Sequence, residues 1–342
     1  MRKANRREFL RFAAGLLPLC ADAAPRPVRS TGRIQTALGP VSPGDLGVTL
    51  MHEHVLVDFI GADRIRPDRY DRNEVFSTVL PYLKKIRELG CRTVVECTPA
   101  YLGRDPLLLK QLSEAGRIQL ITNTGYYGAV DHKYLPAHAF SESAERLARR
   151  WIEESEKGIE NTGIRPGIIK IGVNKGPLSE IDRKLALAAA LTHRACGLTI
   201  ASHTGDGAAA LEQIRILRDQ GVRASAFIWV HAQNESNPDI HLSAAREGAS
   251  LEFEGFGSAS ADRQAAQLKS LIDHGHLARL LISLDAGWYH VGEPGGGQFR
   301  GYQLFFTELL PALRKAAISE AHIRRLTVDN PREALVPRVR LL

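Results

Sequence analysis

Short runs of β-branched and other apolar residues recur along the chain, with longer amphipathic stretches between them. The runs are Val48 to Asp58, Thr93 to Thr98, Gln119 to Asn123, Gly167 to Ile171, Leu198 to His203, Ala226 to His231, Ser250 to Glu254 and Leu280 to Asp285. Their length and residue types predict eight strands. Between them, Leu211, Ile214 and Leu217 share one helical face, as do Ala265, Leu268 and Ile272, and Leu185, Ala188 and Ala189 mark another. Each strand is thus followed by a helix, and no Pro/Ser-rich linker divides the chain. This alternation predicts an α/β chain folded as a single-domain (β/α)8 TIM barrel. An open doubly wound sheet is the alternative, but no Gly-rich phosphate fingerprint supports it.

In such a barrel, side chains at the carboxyl ends of the strands project into the mouth, so chemistry gathers there. Unusual polar residues do sit at those ends. His52 and His54 bracket Glu53, and alternation puts both imidazoles on one face. A His-x-His pair is weak evidence alone, since histidines pair by chance in a chain of this length. Four further strand ends strengthen it: Lys170 lies in the apolar run Gly167-Ile168-Ile169-Lys170-Ile171, while His203, His231 and Asp285 each close a strand. A core lysine paired with a carboxylate is the plainer reading of Lys170. A buried, neutral amine can also capture carbon dioxide, and the resulting carbamate is a carboxylate able to bridge two cations. Four imidazoles, Asp285 and such a bridge suit two divalent ions about 3.5 to 4 Å apart.

Composition narrows the field. The chain has 342 residues, 44% hydrophobic and 24% charged, which excludes disorder and fibrous repeats. The net charge of +7 suggests nucleic acid only if basic residues cluster, and they are scattered. Residues 1–23 hold Arg2, Lys3, Arg6, Arg7 and Arg11 against Glu8 and Asp22, so the charge is +4 without them. The run Asn5-Arg6-Arg7-Glu8-Phe9-Leu10-Arg11, a short apolar stretch to Leu19 and Ala21-Asp22-Ala23 read as a twin-arginine export leader removed after Ala23. That predicts a periplasmic or secreted protein spanning 24–342. The apolar stretch is too short for a stable membrane anchor, and Leu19 is too large for the lipid-attachment box that Cys20 would need. Three cysteines then remain, an odd number, and Cys91 and Cys97 lie too far apart along one strand to pair, so free buried thiols are expected.

Met51-His52-Glu53-His54, Gly103-Arg104-Asp105, Thr124-Gly125, Gly163-Ile164-Arg165-Pro166-Gly167-Ile168-Ile169-Lys170, Ser202-His203-Thr204, His231, Asp285 and Asp329-Asn330-Pro331 together resemble the phosphotriesterase family of the amidohydrolase superfamily. The resemblance spans nearly all of the chain after the leader and implies the same barrel. It implies that His52, His54 and Asp285 hold the more buried of two metal ions, that His203 and His231 hold the more exposed one, and that carboxylated Lys170 bridges them. Zinc is the first candidate. A water bridging the ions loses its proton near neutral pH and attacks an ester-like bond, with Asp285 as the catalytic proton acceptor or relay. A small-molecule lactone or carboxylic ester is favoured over a phosphotriester, and the family's barrels allow a homodimer.

The chain departs from the family's pattern at two places. Asn234 stands where an acidic proton shuttle is expected, and Gly255 where phosphotriesterases carry His and lactonases Arg. Glu235 or Glu254 could replace the proton exit, with a solvated loop acid or a neutralised wall residue as the plainer reading. These losses leave room for an alternative, an exported small-molecule-binding protein that keeps the metal scaffold without turnover. Tyr127 matches a position that resembles lactonases. Trp288, Tyr289 and His290 lie in the glycine-rich stretch Gly287 to Gly297, expected as a mobile substrate cover, and are candidate pocket residues with Tyr127. His132, His138, His193, His241, His274, His276 and His322 read as surface residues of helices and loops.

Overall fold

Eight parallel strands form where the apolar runs place them, each beside its neighbours in chain order. The computed structural model describes residues 32–255 and 258–342. The strands are β1 (Val48–Val57), β2 (Cys91–Glu96), β3 (Gln119–Ile121, resumed at Asn123–Thr124), β4 (Ile168–Val173), β5 (Ile200–Thr204), β6 (Phe227–Val230), β7 (Ser250–Glu254) and β8 (Leu280–Ser283). All pairings among them are parallel. The first half of β3 pairs with β2 and the second with β4, while the Thr122 carbonyl between them accepts from Gly167 N–H at 2.8 Å. The ring closes between β8 and β1. There the Asp285 N–H donates to the His52 carbonyl, and the Glu53 carboxylate receives the Ser283 hydroxyl and the Leu284 and Ala286 N–H groups. A closed seam of this kind excludes the open sheet, and the fold is the (β/α)8 barrel.

Six of the eight helices that cover it start on side-chain caps. The eight are α1 (Arg72–Glu88), α2 (Pro106–Gly116), α3 (Ala144–Lys157), α4 (Glu180–Cys196), α5 (Gly207–Asp219), α6 (Pro238–Glu247), α7 (Ser258–Asp273) and α8 (Leu310–Lys315). Asp71, Asp105, Ser143, Ser179, Asp206 and Asn237 each accept a first-turn N–H that has no partner within the helix. The expected helical stripes face the barrel: Leu185, Ala188, Ala189, Ile214, Leu217, Ala265 and Leu268 are buried. Among the described residues, no helix is long and apolar enough to cross a membrane. Cys91, Cys97 and Cys196 are free and buried, as expected. The leader reading of residues 1–23 lies outside the described residues.

Alternation fixes what enters the lumen. Met51, Val95, Cys97, Ile121, Ile168, Ala201, Ile228, Val230 and Leu281 form a separate apolar floor, sealed from below by Ile34, Leu46, Ala334 and Leu335. Two residues above Ile168 and Ala201 on the same strand face come Lys170 and His203. In β1 a bulge between Leu50 and Glu53 inserts one residue relative to β2. Met51 therefore joins the floor, while its neighbour His52 reaches the site above it.

The stretch after Asp285 corrects an expectation. Ala286–His290 is not part of a cover loop but a strand, β9, parallel to β1 with Ala286 opposite Glu53 and His290 opposite Val57. The cause is the ten-residue length of β1, whose upper half outlasts the barrel wall and offers an edge to pair with. Gly287 is required there. Its φ is +97°, and a Cβ would lie 1.8 Å from the His54 carbonyl oxygen.

Candidate metal centre

Five predicted site residues gather at the open rim in two groups. In the first, His54 Nε2 lies 3.1 Å from His52 Nε2 and 3.1 Å from Asp285 Oδ1, and His52 Nε2 is 3.8 Å from the same carboxylate oxygen. In the second, the rings of His203 and His231 stand edge to face with centroids 4.3 Å apart. The His231 ring is 5.3 Å from that of His52, which joins the groups. Both His231 and Asp285 have positive φ, 65° and 55°. The backbone turns sharply where β6 and β8 end, and this strained conformation aims both side chains at the centre.

Lys170 enters from the floor. It is buried, and its Nζ has no hydrogen-bond partner. A buried ammonium without an acceptor is costly, so the amine is left open to a partner that the described residues do not supply. Its charge is felt by its neighbours. Burial first, and Lys170 next, push His52 well below the ordinary histidine range; burial, His231 and Lys170 do the same to His203. Neutral imidazoles are the form that ligates metal. For His231 burial acts downward, but the Glu254 carboxylate outweighs it and raises the ring. Burial likewise opposes the charge on Asp285, yet the close His54 ring and that of His52 hold its carboxyl below the usual range. The donors His52, His54 and Asp285 all lie within 4.8 Å of one another, and so do those of His52, His231 and Glu254. Imidazoles with carboxylates, no thiolate and an orphaned lysine fit divalent ions at an open, reactive site rather than a closed structural zinc site.

Residues not singled out from sequence complete the centre. Thr98, just past the end of β2, places its Oγ1 2.8 Å from His54 Nδ1. Glu254, considered above only as a proton exit, lies within the centre: its Oε1 is 2.5 Å from His52 Nδ1, and its Oε2 meets His231 Nδ1. Glu252 is buried on the same strand face. Burial and Glu254 push its carboxyl well up, while Lys170 pulls the other way. Polar residues at inward positions of a strand were the available signal, but nothing in their spacing separates them from wall residues. Glu235 lies outside the centre. Its carboxylate accepts from the Gly207 and Asn237 N–H groups and so braces the β6 loop. Asn234 lies in the turn Ala232–Asn234, its N–H bonded to the His231 carbonyl.

The candidate pocket residues divide. Tyr127 packs on His203, with ring centroids 5.0 Å apart, in a space that Gly172 leaves open. Trp288 packs on His54 at 5.0 Å and donates its indole N–H to the Asp285 carbonyl. His290 lies behind, 5.6 Å from Phe59, which also touches Trp288 and Tyr134. Tyr289 is a correction. It is buried and its hydroxyl donates to Glu74 of α1, because alternation along β9 turns it away from Trp288 and His290. His193 and His241 also depart from expectation, being buried and hydrogen-bonded to backbone rather than exposed. Arg104 and Asp105 are structural. Arg104 forms a forked pair with Glu154, and Asp105 caps α2.

Fold and comparisons together define a barrel hydrolase with imidazoles and carboxylates gathered at the rim. The chain matches the phosphotriesterase family over residues 32–335 and belongs to it. It is 30% identical to the phosphotriesterase homology protein of Escherichia coli, covering 83% of this chain and 96% of that protein. It is 25% identical to an aryldialkylphosphatase of Saccharolobus solfataricus, covering 84% and 95%. A solved mutant of a PTE-like lactonase from Deinococcus radiodurans superposes with a TM-score of 0.79 at 27% identity, covering 88% and 99%.

Proposed function

We propose that this hydrolase cleaves a small lactone or carboxylic ester and uses two divalent ions, with zinc the first candidate. His52, His54 and Asp285 would hold one ion, His203 and His231 the other, with Lys170 carboxylated between them. The observation that carries this reading is the convergence of those five donors above a buried lysine amine that has no partner. When bound, such ions supply Lewis acidity: they acidify water and favour negative charge on the substrate oxygen. Asp285, kept ionised by His54, accepts the proton that water loses. Trp288 on one side and Tyr127 on the other confine the substrate and limit water over the imidazoles. The lactone preference is supported by Tyr127 and by the likeness to a PTE-like lactonase.

The test is a panel of lactones, aryl esters and phosphotriesters on metal-loaded protein, with metal content measured in the same preparation. Lactone turnover above the other classes is expected; two bound ions with no turnover of any class would overturn the assignment. Asn234 and Gly255 favour the second reading, a binding protein without turnover, which predicts tight ligand uptake and no product. Anomalous scattering with density extending from Lys170 decides the carbamate. Export is proposed with the enzyme, and mass spectrometry of the exported protein should find a terminus near Ala24.

A further inference from the structure

We infer that Glu254 is a positioning residue that fixes the tautomer of one imidazole in each half of the centre at once. This rests on the proposed metal reading. Glu254 ends β7 with its side chain in the lumen, while Leu251 and Phe253 face the helices. Its two oxygens do different jobs: Oε1 lies 2.5 Å from His52 Nδ1, and Oε2 meets His231 Nδ1. An ionised carboxylate only accepts hydrogen bonds, so both Nδ1 atoms must carry protons. Both Nε2 lone pairs are then free. For His52 that lone pair faces His54 and Asp285, and the His231 ring stands against His203. His54 has its own acceptor in Thr98 and takes no part in this sharing.

The consequence is mechanical coupling. Ordering His52 orients Glu254, and the second oxygen then orients His231, so occupation of one half prepares the other. Partners of this kind behind a ligating histidine are worth about 10–100-fold in metal affinity. One carboxylate serving two histidines places both halves under one residue.

The experiment compares wild type, Glu254→Gln and Glu254→Asp, all labelled with 15N-histidine and checked for folding by thermal unfolding. Long-range proton–nitrogen spectra of the metal-free proteins at pH 8 report which ring nitrogen carries the proton, with His52 and His231 signals assigned by their loss in His52→Gln and His231→Gln. Wild type should show Nδ1–H on both. In Glu254→Gln the amide offers one acceptor and presents a donor to the other ring, so one Nδ1–H should be lost. Zinc titration against a chromophoric chelator should then find one of two ions weakened at least tenfold. Glu254→Asp, which keeps two acceptors on a shorter stem, should keep the tautomers and fall between the two in affinity. Unchanged tautomers in Glu254→Gln, or two ions bound at wild-type affinity, would overturn the inference. Wild-type protein that takes up no zinc instead overturns the functional reading, and the metal-free spectra tell that failure apart because they report the Glu254 bonds with no ion present.

Discussion

His54 shows how much depends on a single acceptor. Its Nε2 faces Asp285, and Thr98 Oγ1 lies 2.8 Å from its Nδ1; an ion on Nε2 would leave the proton on Nδ1, with Thr98 as its acceptor. Thr98→Val keeps the shape and removes the acceptor. Metal affinity should fall about tenfold or more with little change in fold, measured by chelator competition beside thermal unfolding. The sequence revealed His52, His54, Lys170, His203, His231 and Asp285 because each is improbable at the end of an apolar run. It hid Thr98 and the contact of Glu254 with two imidazoles, since a threonine or a glutamate in a strand is ordinary until a ring nitrogen is seen facing it. Tyr289 failed for another reason: which way an aromatic points depends on the phase of a strand, and β9 was not recognised as one.

At the scale of elements, strands and helices were legible because their periodicities differ, while joints between elements were not. β9 reads as a loop from its glycines, and only the excess length of β1 makes it a strand. His193 is a joint of the same kind. Its Nδ1–H donates to the Leu198 carbonyl that follows α4, and its Nε2 accepts from the Arg340 N–H, tying the helix end to the C-terminal tail. Burial, partly offset by the Leu198 bond, lowers it from the usual 6.5 to about 4. The unfolded chain takes up this proton as pH falls through about 6.5, whereas the folded protein resists until about 4. The stabilisation is therefore complete above 6.5 and is lost as pH falls toward 4, reaching about 3 kcal/mol. Denaturant unfolding at pH 7 and pH 4.5 should show this loss, and His193→Gln should be less stable at pH 7 with a smaller drop between the two.

For the whole molecule, the centre draws on strands from all round the ring: β1 gives His52 and His54, β4 Lys170, β5 His203, and the ends of β6 and β8 His231 and Asp285. Ions held on the proposed donors from so many strands would bind the folded protein and not the unfolded chain. Removing them with a chelator should lower the unfolding temperature reversibly, and each site held at a hundredfold excess over its Kd contributes about 2.7 kcal/mol. Calorimetry before and after re-addition of zinc checks this; an unchanged midpoint would mean that the folded chain holds no ions in preference to the unfolded one.

The sealed floor has a practical corollary. Ile34 near one end of the described chain and Ala334 and Leu335 near the other pack under the lumen, on the side away from the imidazoles, and Leu341 is bridged to Val222 ahead of β6. A handle fused after Leu342 therefore sits on the underside. Protein tethered to a surface by its C-terminal end would present its mouth outward and keep access to dissolved substrate.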